Sequence, residues 1–291
     1  MREKCDAPSN FRYNRTLDAY LKENNIPGVY DVDTREIAKT IRESGVMNAM
    51  ICSDPRNFDA EKVKTYKVEN AVESVSCKRP VPLAANKPEY NVVLLDYGKK
   101  ENIARELIRR GCNVAVMPYD TKAEDVLKLN PDGIMLSNGP GDPEENTACI
   151  EELRKLIGKK PVFGICLGHQ LLALAMGAKT TKLKYGHRGV NQPVKDLKTG
   201  RTYISSQNHG YAVLNEEVER CGGVIRFVNA NDGTNEGIDY PGKHAFSVQF
   251  HPEACSGPHD TRFLFDRFIN MMGGNAVSYT HLRAHETRGN L

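Results

Sequence analysis

Apolar positions are most regular between residues 91 and 165. NVVLLD (91–96) is a short apolar run of strand type, and residues 101–110 follow with Ile103, Leu107 and Ile108 at helical spacing. The alternation repeats with NVAVM at 113–117, a helical stretch ending near Leu129, GIML at 133–136, a helix over about 145–157, and VFGI at 162–165. Apolar strands separated by helical stretches predict a parallel α/β sheet covered on both faces, because parallel neighbours need a crossover that a helix supplies. After Lys179 the pattern shifts to short β-type runs at 202–205, 211–214, 224–228 and 245–250. KTTKLK (179–184) reads as a solvated edge strand. Residues 260–272 close as a helix with Phe263, Leu264, Phe268 and Ile269 on one side.

Upstream the pattern is thinner. Helices are expected at 16–23 and 34–44, the second capped by Thr34 and stopped by Gly45, with a strand over 46–52. KRPVPLAANKPE (78–89) holds three prolines and reads as a linker. The expected domains are therefore a partial N-terminal domain over 1–77, a linker over 78–90 and an α/β domain over 91–274. VSYTHLRAHET, within 275–291, reads as translated adapter sequence and is set aside as a non-native tail, which removes His281 and His285 from any site.

Composition narrows the class. The 291 residues are 40% hydrophobic and 26% charged, which suits a globular protein with a sizeable core. The 40 basic and 37 acidic residues are interspersed, so no nucleic-acid footprint is expected. The longest apolar stretch, residues 171–178, is far short of the roughly 20 residues a membrane span needs, and the N-terminus is polar. Eight cysteines without a C-x-x-C pair read as free thiols in a reducing cytoplasm.

GICLGHQ (164–170) places Cys166 after the fourth strand and before a helix, with Gly164 and Gly168 at −2 and +2. Small residues there permit the tight strand-to-helix turn that lifts a nucleophile into a cleft. The helix N-terminus favours a thiolate, and the Leu167 amide is placed for an oxyanion. The other seven cysteines read as core or surface thiols. VQFHPE (248–253) supplies a general base, His251, and a carboxylate to orient it, Glu253. His251, Cys255 and His259 share i+4 spacing, but Pro252 and Pro258 oppose a helix through them, so no metal site is expected. No phosphate-binding or dinucleotide-binding loop is present, so neither ATP nor a dinucleotide is expected on this chain.

GICLGHQ followed far downstream by HPE resembles the triad (class I) glutamine amidotransferases, Cys-His-Glu glutaminases of flavodoxin-like α/β fold. LSNGPGDP (136–143) strengthens the likeness. GHRGVNQPV (186–194), SSQNHGYAV (205–213), HPEACSGPHDTRFLFDRFINMM (251–272) and PGVYDVDTREIAKTIRESGVMNAMI (27–51) are similar to the small subunits of carbamoyl-phosphate synthases. That resemblance implies Cys166, His251 and Glu253 as the triad and the Gly139 and Leu167 amides as the oxyanion hole. It implies glutamine contacts at Gly139, Gly141, Leu167, Gln170, Asn208, Gly210 and Tyr211. Tyr211 stands where the family more usually has Phe, which is tolerated if its hydroxyl reaches water. The resemblance also implies a heterodimer with a large synthetase subunit that carries ATP and magnesium. Family members begin with a longer N-terminal domain, so the chain reads as truncated at the front and short of a serine-containing glutamine contact. The competing readings are a glutaminase of another synthase, a non-catalytic subunit or an unstable fragment.

Overall fold

The computed structural model describes residues 1–255 and 257–274. It divides into two compact units, Met1–Val68 and Glu69 onward. The first unit carries helices α1 (Leu17–Glu23), α2 (Thr34–Ser44) and α3 (Ala60–Thr65), and none of the three has a buried residue. Thr16 Oγ1 caps α1 by accepting from the Ala19 amide. Asp33 rather than Thr34 caps α2, its carboxylate accepting from the Arg35 and Glu36 amides. A carboxylate one position earlier reaches both orphan N–H groups and also complements the helix dipole. The strand expected over 46–52 does not form. Val46, Met47 and Ile51 are exposed, so no core face selects an extended register there.

The second unit opens with α4 (Ala71–Val75), then β1 (Val81–Leu83), β2 (Tyr90–Asp96), α5 (Glu101–Ile108), β3 (Cys112–Pro118), α6 (Ala123–Lys128), β4 (Gly133–Leu136) and α7 (Thr147–Leu156). It continues with β5 (Val162–Ile165), α8 (Leu167–Met176), β6 (Thr180–Asp196), β7 (Thr202–Val213), α9 (Asn215–Val218), β8 (Val224–Asn229), β9 (Asn235–Tyr240), β10 (Ala245–Val248) and α10 (Phe263–Met272). All ten strands join one sheet in the order β1-β3-β2-β4-β5-β10-β9-β8-β6-β7. β3, β2, β4, β5 and β10 run parallel, and antiparallel strands extend the sheet at both edges.

The period-two alternation of side chains explains the unbroken apolar runs. Val93 and Leu95 face a core with Val126, Leu153 and Leu171, while Val92 and Leu94 face another with Ile103, Leu107, Leu264 and Phe268. Phe163 stacks on Phe246 at 4.3 Å in the second of these cores.

The presumed linker is partly structural. β1, within it, pairs antiparallel with β3, while upstream of it Val72 of α4 is buried in the first of the two cores. KTTKLK keeps an open edge as expected: β6 continues through Asp196, but β8 pairs with it only at Val194–Asp196, so Thr180–Lys182 pair with β7 alone and Thr181, Lys182 and Lys184 are exposed. The two runs at 202–205 and 211–214 are one strand, β7, whose irregular pairing with β6 absorbs the polar residues between them. Among the described residues no helix is long and apolar enough to cross a membrane. The presumed adapter tail lies outside the described residues.

Candidate active site

Four neighbouring parallel strands, β2, β4, β5 and β10, send their C-terminal ends into loops along one edge of the sheet. That edge is where open α/β sheets form their crevices. Cys166 sits there between β5 and α8 with φ 54° and ψ −103°, a conformation non-glycine residues rarely adopt. Its amide donates to the Val248 carbonyl at 2.9 Å, tying the turn to β10. The flanking glycines are required by packing. A Cβ on Gly164 would lie 2.7 Å from the Gly168 carbonyl oxygen, and one on Gly168 would lie 2.5 Å from the Leu136 carbonyl oxygen.

His251 and Glu253 leave the end of β10 beside this turn. The His251 amide donates to Ser206 O at 2.9 Å, and the Glu253 carbonyl accepts from Asn102 Nδ2 at 3.1 Å, so both residues are anchored by backbone. His251 Nδ1 lies 2.7 Å from Glu253 Oε1, and the imidazole also hydrogen-bonds the Cys166 side chain. Burial by itself disfavours the imidazolium. The charges of Glu253 and Cys166 outweigh it and raise the His251 pKa to about 10. For Glu253, burial favours the neutral acid, but His251 and then Lys100 prevail and hold the carboxyl below its usual range.

The loop Leu136–Pro143 completes the second wall. Ser137 Oγ accepts from the Tyr97 amide at 2.8 Å, and Asn138 accepts from the Lys100 amide at 2.9 Å. A Cβ on Gly139 would fall 2.2 Å from the Tyr97 carbonyl oxygen, which leaves glycine alone at that position. Among the described residues no hydrogen bond to another group occupies the amides of Gly139 or Leu167. Gly141 turns the loop with φ 91°.

Gln170 is buried on α8, and its Nε2 donates to the Tyr211 carbonyl and to Gln249 Oε1, each at 2.9 Å. It therefore fastens α8 to β7, the strand that carries Asn208, Gly210 and Tyr211. Asn208 is exposed, while Gly210 and Tyr211 are half-buried. The Tyr211 hydroxyl donates to Asp142, so the strand and the glycine loop meet across the crevice. Burial first, and then this carboxylate, push the phenol up to about 12.

Lys100 escaped the sequence reading. Its Nζ stands 3.4 Å from His251 Nδ1 and 3.9 Å from Glu253 Oε1, with half of its side chain exposed. The only cue in the sequence is its place just after a parallel strand, where functional side chains gather. Asn138 and Gln249, which brace the loop and Gln170, were likewise unassigned.

The chain resembles known proteins along most of its length. Residues 93–271 match the family Glutamine amidotransferase class-I, and residues 1–51 match Carbamoyl-phosphate synthase small chain, CPSase domain. A carbamoyl phosphate synthase small chain from Staphylococcus saprophyticus is 48% identical over 275 residues, which span 94% of this chain and 75% of that protein. One from Bacillus cereus is 50% identical over 276 residues, or 93% and 74% of the two chains. Among solved structures, a Thermoplasma acidophilum protein described as a GMP synthase component matches with a TM-score of 0.56. The match has 22% identity and covers 63% of this chain and 94% of that one, a likeness of fold alone.

Proposed function

The chain belongs to the carbamoyl phosphate synthase small-chain family, and from that premise we propose that it hydrolyses L-glutamine to glutamate and ammonia through Cys166, His251 and Glu253. The observation that carries the reading is the hydrogen-bonded line from Cys166 through His251 to Glu253, at the mouth of a strained strand-to-helix turn. Cys166 Sγ attacks the side-chain amide carbon, and the oxygen that becomes negative is received by the Gly139 and Leu167 amides. The His251 imidazolium gives its proton to the departing nitrogen, leaving a γ-glutamyl thioester and ammonia. Neutral His251 then takes a proton from water as the water attacks the thioester, and collapse returns the sulfur and releases glutamate. Glu253 holds the imidazole in register and stabilises its charged form, with Lys100 beside it. Gly141, Gln170, Asn208, Gly210 and Tyr211 shape the glutamine pocket.

The ammonia passes to a large synthetase subunit, which brings ATP and magnesium and makes carbamoyl phosphate for arginine and pyrimidine synthesis. The test is glutamate release with and without that subunit, compared with Cys166→Ser. Release abolished by the substitution and stimulated by the partner supports the reading. Release that survives Cys166→Ser refutes the triad, and stimulation by a different synthetase refutes the subfamily.

A further inference from the structure

Outside the triad, three antiparallel strands bring together a second set of chemically capable side chains: His187 of β6, His209 of β7 and Glu236 of β9. One potential ligand atom from each lies within 4.8 Å of those from the other two. Glu236 Oε1 stands 3.1 Å from His187 Nδ1 and 3.7 Å from His209 Nε2. Around a zinc ion with bonds of about 2.0–2.1 Å, tetrahedral ligand atoms are roughly 3.3 Å apart. The side chains are already close to that spacing.

The hydrogen bonds made by the far sides of both rings turn their inner nitrogens toward the same carboxylate. His209 Nδ1 faces the Tyr211 carbonyl at 2.9 Å, and a carbonyl can only accept, so Nδ1 carries a proton and Nε2, turned toward Glu236, is the nitrogen left for an ion. His187 Nε2 faces the Asp232 carboxylate at 2.8 Å and its Nδ1 faces Glu236 Oε1 at 3.1 Å, so between two acceptors the metal-free ring carries a proton on each side, and an ion would displace the inner one. Asn229 Nδ2 stands 3.3 Å from His187 Nδ1, and the Gln207 carboxamide oxygen stands 3.4 Å from His209 Nε2. The one counter-charge beside Glu236 among these groups is the His187 ring, which pairs with Oε1 alone. That carboxylate is fully buried, and its Oε2 finds no hydrogen-bond donor among the described residues. A buried carboxylate oxygen left without a donor is costly. Metal-binding histidines characteristically give their second N–H to a carboxylate or a backbone carbonyl, and here one ring does each.

We propose that His187, His209 and Glu236 form a binding site for a borderline divalent cation of the zinc class, with Asp232 and the Tyr211 carbonyl as the outer partners that orient the two rings. The site is separate from the triad and does not rest on the glutaminase reading. It opens on the His187 side, where Asp232 is exposed, while His209 and Glu236 are buried. His209 lies between Asn208 and Gly210, so the ion clamps β7 to β6 and β9 behind the wall of the crevice.

The experiment strips the full chain of metal with a chelator, adds cobalt(II) alone and reads its visible absorption, then displaces it with zinc and measures the zinc retained. One equivalent is expected, with the absorption intensity of a four- or five-coordinate nitrogen–oxygen site. His187→Ala and Glu236→Gln should each weaken binding at least about a hundredfold, Asp232→Asn should weaken it about 10- to 100-fold, and Cys166→Ala should leave it unchanged. No retained metal overturns the site and assigns the inward charge to a proton on a histidine. Equal binding in all variants also overturns it, because His281 and His285, common to every variant, would then be the ligands. Loss confined to Cys166→Ala places the ion on the triad and overturns it as well. Where His187→Ala or Glu236→Gln fails to fold by circular dichroism, Asp232→Asn decides, and unchanged affinity refutes the proposal.

Discussion

Gly168→Ala tests the geometry of the catalytic turn with a single methyl group. Helix propensity alone favours the change, since alanine within a helix is better than glycine by up to about 1 kcal/mol. Packing opposes it. The new Cβ would stand 2.5 Å from the Leu136 carbonyl oxygen and 2.7 Å from the Leu136 Cβ, where 3.4 Å marks ordinary contact, a shortfall of about 0.9 Å. Both atoms belong to the buried central strand β4, which cannot yield like the tip of a flexible side chain. The start of α8 must therefore move, and with it the Gly168 amide bond to Ser137 O at 3.0 Å. Overpacking of this kind costs roughly 1–3 kcal/mol, enough to overcome the propensity gain. A unit of this size should lose about 2–4 °C in Tm per kcal/mol. The larger effect falls on catalysis. The Leu167 amide rides on the same turn, and displacing one oxyanion donor by about an ångström should lower kcat by about 10²-fold or more. Calorimetry and steady-state glutaminase kinetics read the two effects separately. Gly242→Ala is the control, since nothing lies within 4 Å of its Cβ and its φ is not positive. A Gly168→Ala protein with the parent's Tm and kcat would refute the claim that backbone contact requires glycine there.

Glu253→Gln should flatten the alkaline part of the stability curve. The His251 pKa is raised to about 10 in the fold, so its contribution is full below the unfolded value near 6.5 and is lost as pH rises through about 10. Urea midpoints from pH 6 to 10 should fall for the parent and change less for the variant. Glu152 has the opposite sign. The Ala123 amide, then Lys155, offset by burial and helped by Lys122, lower its pKa to about 2, so its contribution is present above about 4.5 and lost as pH falls toward 2. Glu152→Gln should therefore cost a few degrees of Tm at pH 7, and the gap should close on acidification; a gap constant with pH would contradict the assignment. Tyr211→Phe removes the hydroxyl that reaches Asp142, and KM for glutamine should rise up to about tenfold with kcat nearly unchanged. An unchanged KM would mean that this link does not close the crevice.

What could be read from the chain depended on how far apart the cooperating residues lie. Val92–Leu95 announce a strand because both faces of a central parallel strand are buried, and the signal is complete within the run itself. The catalytic turn is equally local: Gly164, Cys166 and Gly168 meet one another across five residues, and the steric demand is visible as small side chains. Lys100 carries no such mark. Its partners lie at 251 and 253, across 151 residues of sequence from His251, and only the alignment of neighbouring strand ends joins them. β9 is the harder case. NEGIDY has the composition of a loop, yet Asn235 and Glu236 are buried because the strand lies between β10 and β8. A buried carboxylate in such a strand has to be answered by residues on other strands, and here those are histidines from β6 and β7 whose spacing in the chain matches no metal-binding motif. The metal ligands and the polar strand were therefore hidden for one reason. Each is intelligible only through the other, and the antiparallel extension that unites them is assembled from contacts distant in sequence.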